Sequence, residues 1–174
     1  FSLERYSEVV EAFQRGLERL VESGGDPGPV ASVASFFVSR VDTEADRRLD
    51  ETGGPDDLKG TLAVANAKLA YQRYKELHSG ERWEALAAKG ARKQRCLWAS
   101  TSTKNPAFRD VLYVEELIGP ETVNTMPEET IQAFQDHGKV ASTLEQRIDE
   151  AKQVFVDLEE AGIDYDDVTD TLER

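Results

Sequence analysis

At 174 residues the chain is long enough for one compact domain with a sizeable core, and too short to argue for two. Hydrophobic residues make up 39% and charged residues 32%, with 12 Gly and 6 Pro, which excludes collagen-like and low-complexity chains and argues against wholesale disorder. The 21 Lys and Arg against 34 Asp and Glu leave −13, which would repel a phosphate backbone, so nucleic acid and anionic membrane are poor partners.

In chain order, Ser2 is placed to cap a helix whose stripe of Val9, Val10, Phe13, Leu17, Leu20 and Val21 runs to Gly24-Gly25. Val30 to Val38 is small, β-branched and aromatic without charge, the pattern of a parallel-sheet strand buried on both faces. Arg40 opens a charged stretch rich in Asp and Arg, and Thr52-Gly53-Gly54-Pro55 is a turn before a helix from about Leu58 to Leu77. A shorter helix, Glu81 to Ala88, carries Trp83 and Leu86. Arg95 to Ser100 reads as a second buried strand that runs into Thr101-Ser102-Thr103-Lys104-Asn105-Pro106. Helical residues from Val111 to Leu117 precede a third strand, Glu121 to Thr125, and Pro127 then opens a helix that Gly138 closes. Ser142 with Glu145 predicts a capping box for a helix striped by Leu144, Ile148, Ala151, Phe155 and Leu158, ending at Gly162. Asp164 caps a last helix with Val168 and Leu172.

Strands alternating with helices predict parallel neighbours joined by right-handed crossovers. Three strands cannot close a barrel, and an eight-stranded one takes about 250 residues, so the pattern predicts part of a larger α/β fold. Both ends read as cuts through a longer chain. No apolar run approaches the roughly 20 residues that cross a bilayer. The single cysteine, Cys96, makes no intrachain disulfide, and a reducing cytoplasm fits best.

Between Lys89 and Arg109 there are six basic residues (Lys89, Arg92, Lys93, Arg95, Lys104 and Arg109) and no acidic one, an inversion that suits an anion. The hydroxyls of Ser100 to Thr103, the Lys104 charge and the Asn105 amide follow a strand, where parallel α/β folds bind ligands. The bland reading makes the run a loop whose cations complement a helix end. Arg40 lies just past the first strand, and Ser35 shares a strand face with Phe37. Arg suits bidentate phosphate recognition, and the alternative is a salt bridge to Asp42, Glu44 or Asp46. His78 and His137 read as solvated helix-end residues, Cys96 as a core residue, and no metal constellation is apparent.

Three segments, Ser32-Val33-Ala34-Ser35-Phe36-Phe37-Val38-Ser39-Arg40-Val41-Asp42, Leu97-Trp98-Ala99-Ser100-Thr101-Ser102-Thr103-Lys104-Asn105-Pro106 and Thr122-Val123-Asn124-Thr125-Met126-Pro127, together closely resemble transaldolase, of the bacterial subfamily with a long insertion after the sixth strand. The resemblance spans nearly the whole chain. It implies an α/β fold, a partial (β/α)8 TIM barrel with strands six to eight and abundant helix, residues 1–174 being the C-terminal portion of a single barrel domain. It implies transfer of a dihydroxyacetone unit between sugar phosphates of the pentose phosphate pathway, in the cytoplasm, without metal or organic cofactor. Sedoheptulose 7-phosphate and fructose 6-phosphate would be donors, and glyceraldehyde 3-phosphate and erythrose 4-phosphate acceptors.

Carried over by position, Arg40, Ser102 and Lys104 match the phosphate-binding set, and Ser35 with Phe37 the substrate-contacting surface. Many relatives have Arg where this chain has Lys104, a change that keeps the charge and loses the bidentate fork. The resemblance places the Schiff-base lysine and its helpers in strands upstream of Phe1, so no catalytic residue is expected here. Lys104 is the tempting nucleophile, but its Ser/Thr-rich flanks suit anion binding and no Asp or Glu occurs from Lys89 through Arg109. The remaining lysines fall mostly on helices, where lysine is solvated. The open strand edges would be met by the missing barrel half or by self-association. The competing reading is a non-catalytic remnant or helical interaction module.

Overall fold

A computed structural model describes residues 1–174. Three parallel strands, β1 (Val33–Phe37), β2 (Arg95–Ala99) and β3 (Thr122–Asn124), pair in chain order β1-β2-β3. Eight helices accompany them: α1 (Leu3–Glu22), α2 (Ser39–Thr52), α3 (Leu62–Leu77), α4 (Glu81–Ala87), α5 (Leu112–Glu116), α6 (Glu128–His137), α7 (Ile148–Glu160) and α8 (Tyr165–Glu173). None is long and apolar enough to cross a membrane. The order and parallel direction are those expected from the alternation of strand and helix.

One face of the sheet packs on helices and the other does not. On the covered face Phe36 meets Trp98 edge to face with ring centroids 6.1 Å apart, and Tyr6 of α1 meets Phe36 at 6.1 Å in the same way. The Tyr6 hydroxyl also lies 3.4 Å from the Cys96 sulfur, so the cysteine is a buried core residue. On the other face the in-register pair Ser35 and Leu97, with Val33 and Val123, stays partly open, Val33 being 39% exposed. This corrects the expectation of strands buried on both faces: helices cover only the Phe36–Trp98 side.

The charged stretch after β1 is a helix that the sequence reading does not assign. It forms because Val41, Ala45 and Leu49 recur four residues apart and are all buried. Its abundant charges are partnered outside that stripe: Glu44 holds both Arg47 and Arg48, and Arg48 reaches Asp167 of α8 at 2.5 Å. Gly53 ends the helix at φ 67°, a left-handed conformation that glycine adopts without a Cβ penalty.

The predicted capping box of Ser142 and Glu145 does not form. Helix α7 starts only at Ile148, and Arg147 precedes it with φ 57° and no side-chain cap. The backbone that would have extended the helix is committed elsewhere. The Thr143 and Leu144 amides both donate to the Ile118 carbonyl at 3.1 Å, while Lys68 Nζ donates to the carbonyls of Thr143 and Gln146 at 3.1 and 2.9 Å. Leu144 is buried as expected, but from a turn.

Lys68 departs from the expectation that helical lysines are solvated, since it is only 2% exposed. Burial lowers its pKa, and Glu116 at 3.4 Å opposes that shift. Two carbonyls and one carboxylate match the three donors of an ammonium, so Lys68 joins α3 to the turn before α7 and to α5 rather than offering a free amine. Replacing Lys68 by Met should leave those carbonyls unpaired and lower stability by about 1–3 kcal/mol, measurable by urea unfolding. An unchanged midpoint would show that water replaces the ammonium without loss.

Candidate functional site

The carboxyl ends of the strands meet along one edge of the sheet. Register pairs Phe37 with Ala99, and just past it the Val38 N–H donates to the Ala99 carbonyl at 2.9 Å and the Ser39 N–H, at the start of α2, to the Ser100 carbonyl at 3.0 Å. Arg40 and Ser102 therefore each lie three residues past an in-register strand end. Lys104 follows on the same loop.

Local chemistry shapes that edge. Ser100 has φ 57°, an uncommon left-handed conformation for a residue with a Cβ, and it redirects the chain after β2. The Ser39 and Ser100 hydroxyls lie 2.7 Å apart and share a hydrogen bond. Thr101, fully buried, donates to Asn124 Oδ1 at 2.8 Å, while Thr125 donates through its amide and its hydroxyl to the Trp98 carbonyl at 3.0 and 3.1 Å. Of the Ser/Thr run, then, Ser100 and Thr101 are structural, tying β2 to β1 and β3.

The salt bridge considered for Arg40 is absent. Its guanidinium lies over the Phe37 ring, 5.5 Å from the centroid. The three carboxylates within reach in sequence hold other partners: Asp42 the Ala63 amide and Tyr113, Glu44 the two arginines, and Asp46 the Gly60 amide. Phe37 in turn packs against Phe1 with centroids 5.2 Å apart. Arg40 thus stands at the rim of the sheet face that also carries Ser35, whereas Ser102 is buried and Lys104 exposed. Lys104 lines a cavity of about 330 Å³ with Ser39, Asp42, Thr43, Asn105 and Tyr113. Neither Arg40 nor Ser102 lines that cavity, so the three share one end of the sheet but not one preformed pocket.

The basic run from Lys89 to Arg109 divides between two places. Arg92, Lys93 and Arg95 precede or begin β2 and line a cleft of about 560 Å³ with Ser32, Val33 and Glu121 at the amino end of the strands. Lys104 and Arg109 follow β2, and Arg109 pairs with Glu115 at 2.9 Å. A strand of five residues, roughly 16 Å at about 3.3 Å per residue, separates the groups. The apparent single anion site was a product of linear proximity.

Of the two histidines read as solvated helix ends, His78 departs from that expectation and His137 meets it. His78 is buried, with Nδ1 2.9 Å from the Tyr74 carbonyl and Nε2 accepting from the Gln94 amide, and burial lowers its pKa. His137 is exposed, and its contacts with Asp110 and Asp136 raise its pKa. Asp42, unnoticed as a functional candidate in its own right, is 2% exposed. Its Oδ1 accepts from the Ala63 amide and its Oδ2 from the Tyr113 hydroxyl, both at 2.7 Å. The available signal was its spacing: Asp42, Ala45 and Leu49 stand at i, i+3 and i+7, placing a carboxylate on the core-facing stripe.

Burial pushes the Asp42 carboxyl up to about 7, against the hydrogen bonds of Tyr113 and Ala63 and with some help from Asp46. Between the ordinary value of 3.8 and about 7, the folded protein holds a proton that the unfolded chain has released. That contribution to stability is fully present below the lower value and is lost as pH rises through the upper one, at up to about 1.4 kcal/mol per pH unit. Asp42→Asn removes it while leaving the other charged side chains around the same cavity, Asp46, Asp50, Arg47 and Lys104, in place. The stability of the native sequence relative to Asp42→Asn should therefore fall from pH 4 to pH 7 in urea titrations. A flat difference would contradict the buried, proton-holding carboxyl.

The profile of the Transaldolase/Fructose-6-phosphate aldolase family matches residues 1–174. The transaldolase of Frankia alni is 56% identical over 99% of this chain and 47% of its own length, and that of Acidothermus cellulolyticus 57% identical over the whole chain and 47% of its own length. Transaldolase 1 of Streptomyces avermitilis is 53% identical over 99% of this chain and 47% of its own length. The chain spans about half the length of the curated relatives it matches. On a family match that runs the full 174 residues, the chain belongs to the transaldolase/fructose-6-phosphate aldolase family.

Proposed function

We propose that residues 1–174 form strands six to eight and the attendant helices of a single eight-stranded barrel domain, and that they supply the phosphate-anchoring side of a cytoplasmic transaldolase. The observation that supports this reading is that β1 and β2 run parallel and in register, so the segments that carry Arg40 and Ser102–Lys104 leave the same end of the sheet. The open sheet face of Val33, Ser35, Phe37 and Leu97 becomes the barrel interior once the remaining strands of a full-length protein are present. Ser35 and Phe37 then face the substrate.

A ketose phosphate such as fructose 6-phosphate or sedoheptulose 7-phosphate brings a dianion to this edge. Arg40 offers a planar fork of donors with no carboxylate competing for it, Ser102 a hydroxyl, and Lys104 a mobile point charge. Anchoring the phosphate orients the carbonyl carbon for a lysine nucleophile and converts a bimolecular encounter into an oriented one. The same cradle accepts the phosphate of glyceraldehyde 3-phosphate or erythrose 4-phosphate as acceptor.

The nucleophile lies outside these residues in this reading. Lys68 has all its donors engaged, Lys59 is held by Asp50 and Asp56, which raise its pKa, and Lys75 pairs with Glu145. Lys104 stands on a loop whose hydroxyls suit an anion. Borohydride trapping of the full-length enzyme with fructose 6-phosphate should place the reduced three-carbon adduct on a lysine outside residues 1–174, as read by peptide mass mapping. An adduct on Lys104 would make that residue catalytic and overturn the assignment.

Arg40→Ala or Lys104→Ala in the full-length enzyme should lower kcat/KM for fructose 6-phosphate by roughly 10- to 150-fold, the loss of one charge-assisted contact of about 1.5–3 kcal/mol. Unphosphorylated fructose should be affected little. Equal losses for both donors would assign these residues to folding or chemistry instead.

A further inference from the structure

Residues 100–111, which join β2 to α5 and carry Lys104, have little regular structure, yet they are held along their length. At the start, Ser100 meets Ser39 and Thr101 meets Asn124. Within the loop, Thr103 donates to the Arg109 carbonyl at 2.8 Å, and Asn105 Oδ1 accepts from the Ala107 amide at 2.9 Å. Phe108 then lies across Gly60. A Cβ on Gly60 would stand 2.6 Å from the Phe108 ring, and Gly60 has φ +71°, so a side chain at residue 60 would be strained and would displace the ring.

The far end of the loop is tied to α2. Tyr113, the second residue of α5, donates its hydroxyl to Asp42 Oδ2, while Asp42 Oδ1 takes the Ala63 amide at the start of α3. One turn further along α2, Asp46 Oδ1 accepts from the Gly60 amide at 2.9 Å. Two carboxylates at i and i+4 of α2 therefore hold both the seat of Phe108 and the anchor of Tyr113. Arg40 stands in the first turn of this same helix.

Burying a carboxylate is costly unless it is well partnered, and packing alone would be served by an apolar side chain at residue 42. What the carboxylate adds is direction: one oxygen for α3, the other for α5, from the helix that bears Arg40. Asp42, Asp46, Phe108 and Tyr113 also surround the cavity that Lys104 enters.

We propose that the Asp42–Tyr113 hydrogen bond is a positioning device that holds the Lys104 loop at a set distance from the helix bearing Arg40, and so governs discrimination between phosphorylated and unphosphorylated donors without touching substrate. The proposal rests on the phosphate-anchoring reading above. Releasing the far end of the loop means that Lys104 must be ordered anew each time phosphate binds. That cost falls equally on the bound substrate and the transition state, so it enters KM and not kcat.

The test is Tyr113→Phe in the full-length enzyme, which deletes one hydroxyl and keeps the ring. KM for fructose 6-phosphate should rise about tenfold with kcat held within about twofold, and kcat/KM for unphosphorylated fructose should stay unchanged. Gly60→Ala, which displaces Phe108 from the same loop, should give the same signature and carries the test if Tyr113→Phe fails to fold. Asp42→Asn keeps one acceptor oxygen and should fall between the native protein and Tyr113→Phe. An unchanged KM for fructose 6-phosphate, or equal losses for both donors, overturns the positioning role. Lys104→Ala separates the two levels: selective loss there, with none in Tyr113→Phe, sinks the device and keeps the anchoring site, whereas no selectivity in Lys104→Ala sinks the anchoring reading itself.

Discussion

Parallel hydrogen bonding between β1 and β2 places the residues that follow each strand side by side, although more than sixty positions separate them in the chain. In an antiparallel pair the segment after one strand would neighbour the segment before the other, and Arg40 would sit near Arg92 and Lys93 instead of near Ser102. Direction is in turn enforced by the crossover. Helices α2, α3 and α4 lie between β1 and β2 in sequence, and α3 packs on α1, α2, α7 and β2, so the chain returns to the starting end of the sheet before β2 begins. The edge-to-face stack of Tyr6, Phe36 and Trp98 fixes the same register from below.

Three buried ionisable side chains are held by directional contacts. Asp42, Lys68 and His78 are each almost fully enclosed; Asp42 and Lys68 send their polar atoms to partners on other segments, and His78 contacts the Tyr74 carbonyl of its own helix while its Nε2 accepts from the Gln94 amide. The Tyr165 hydroxyl donates to Asn66 Oδ1 and accepts from the Leu3 amide, and Asn66 Nδ2 donates to the Phe1 carbonyl, linking α8 through α3 to α1. With one sheet face uncovered, apolar burial on the other side is limited, and these directional contacts hold the helices in a single arrangement.

Elements with a regular apolar period were legible in the sequence. The stripe from Val10 to Leu17 gave α1, Ser2 accepts from the Arg5 amide as its cap, and Asp164 caps α8 through the amides of Asp166 and Asp167. Three strands were visible because Val33–Phe37, Arg95–Ala99 and Val123 stand between turn residues. Helix α2 was obscured because charges outnumber its three-residue stripe, and that stripe was the better guide. The Ser142 cap was misread for the opposite reason: its local pattern is sound, but tertiary hydrogen bonds from Ile118 and Lys68 claim the backbone first. Of the candidate site, Arg40, Ser102 and Lys104 could be named from the motifs that carry the resemblance, and parallel strands explain why the segments that hold them leave one end of the sheet. Asp42 as the partner of Tyr113 could not be, since that pairing depends on how α5 returns to α2. Nor could the division of the basic run, which requires knowing where β2 begins and ends.

The account stands on one end of the sheet being the anion end. A crystal structure of the full-length enzyme with fructose 6-phosphate bound measures this directly. The phosphate oxygens are expected within about 3 Å of the Arg40 guanidinium, the Ser102 hydroxyl and Lys104 Nζ. A phosphate found instead among Arg92, Lys93 and Arg95, at the amino end of the strands, would contradict it.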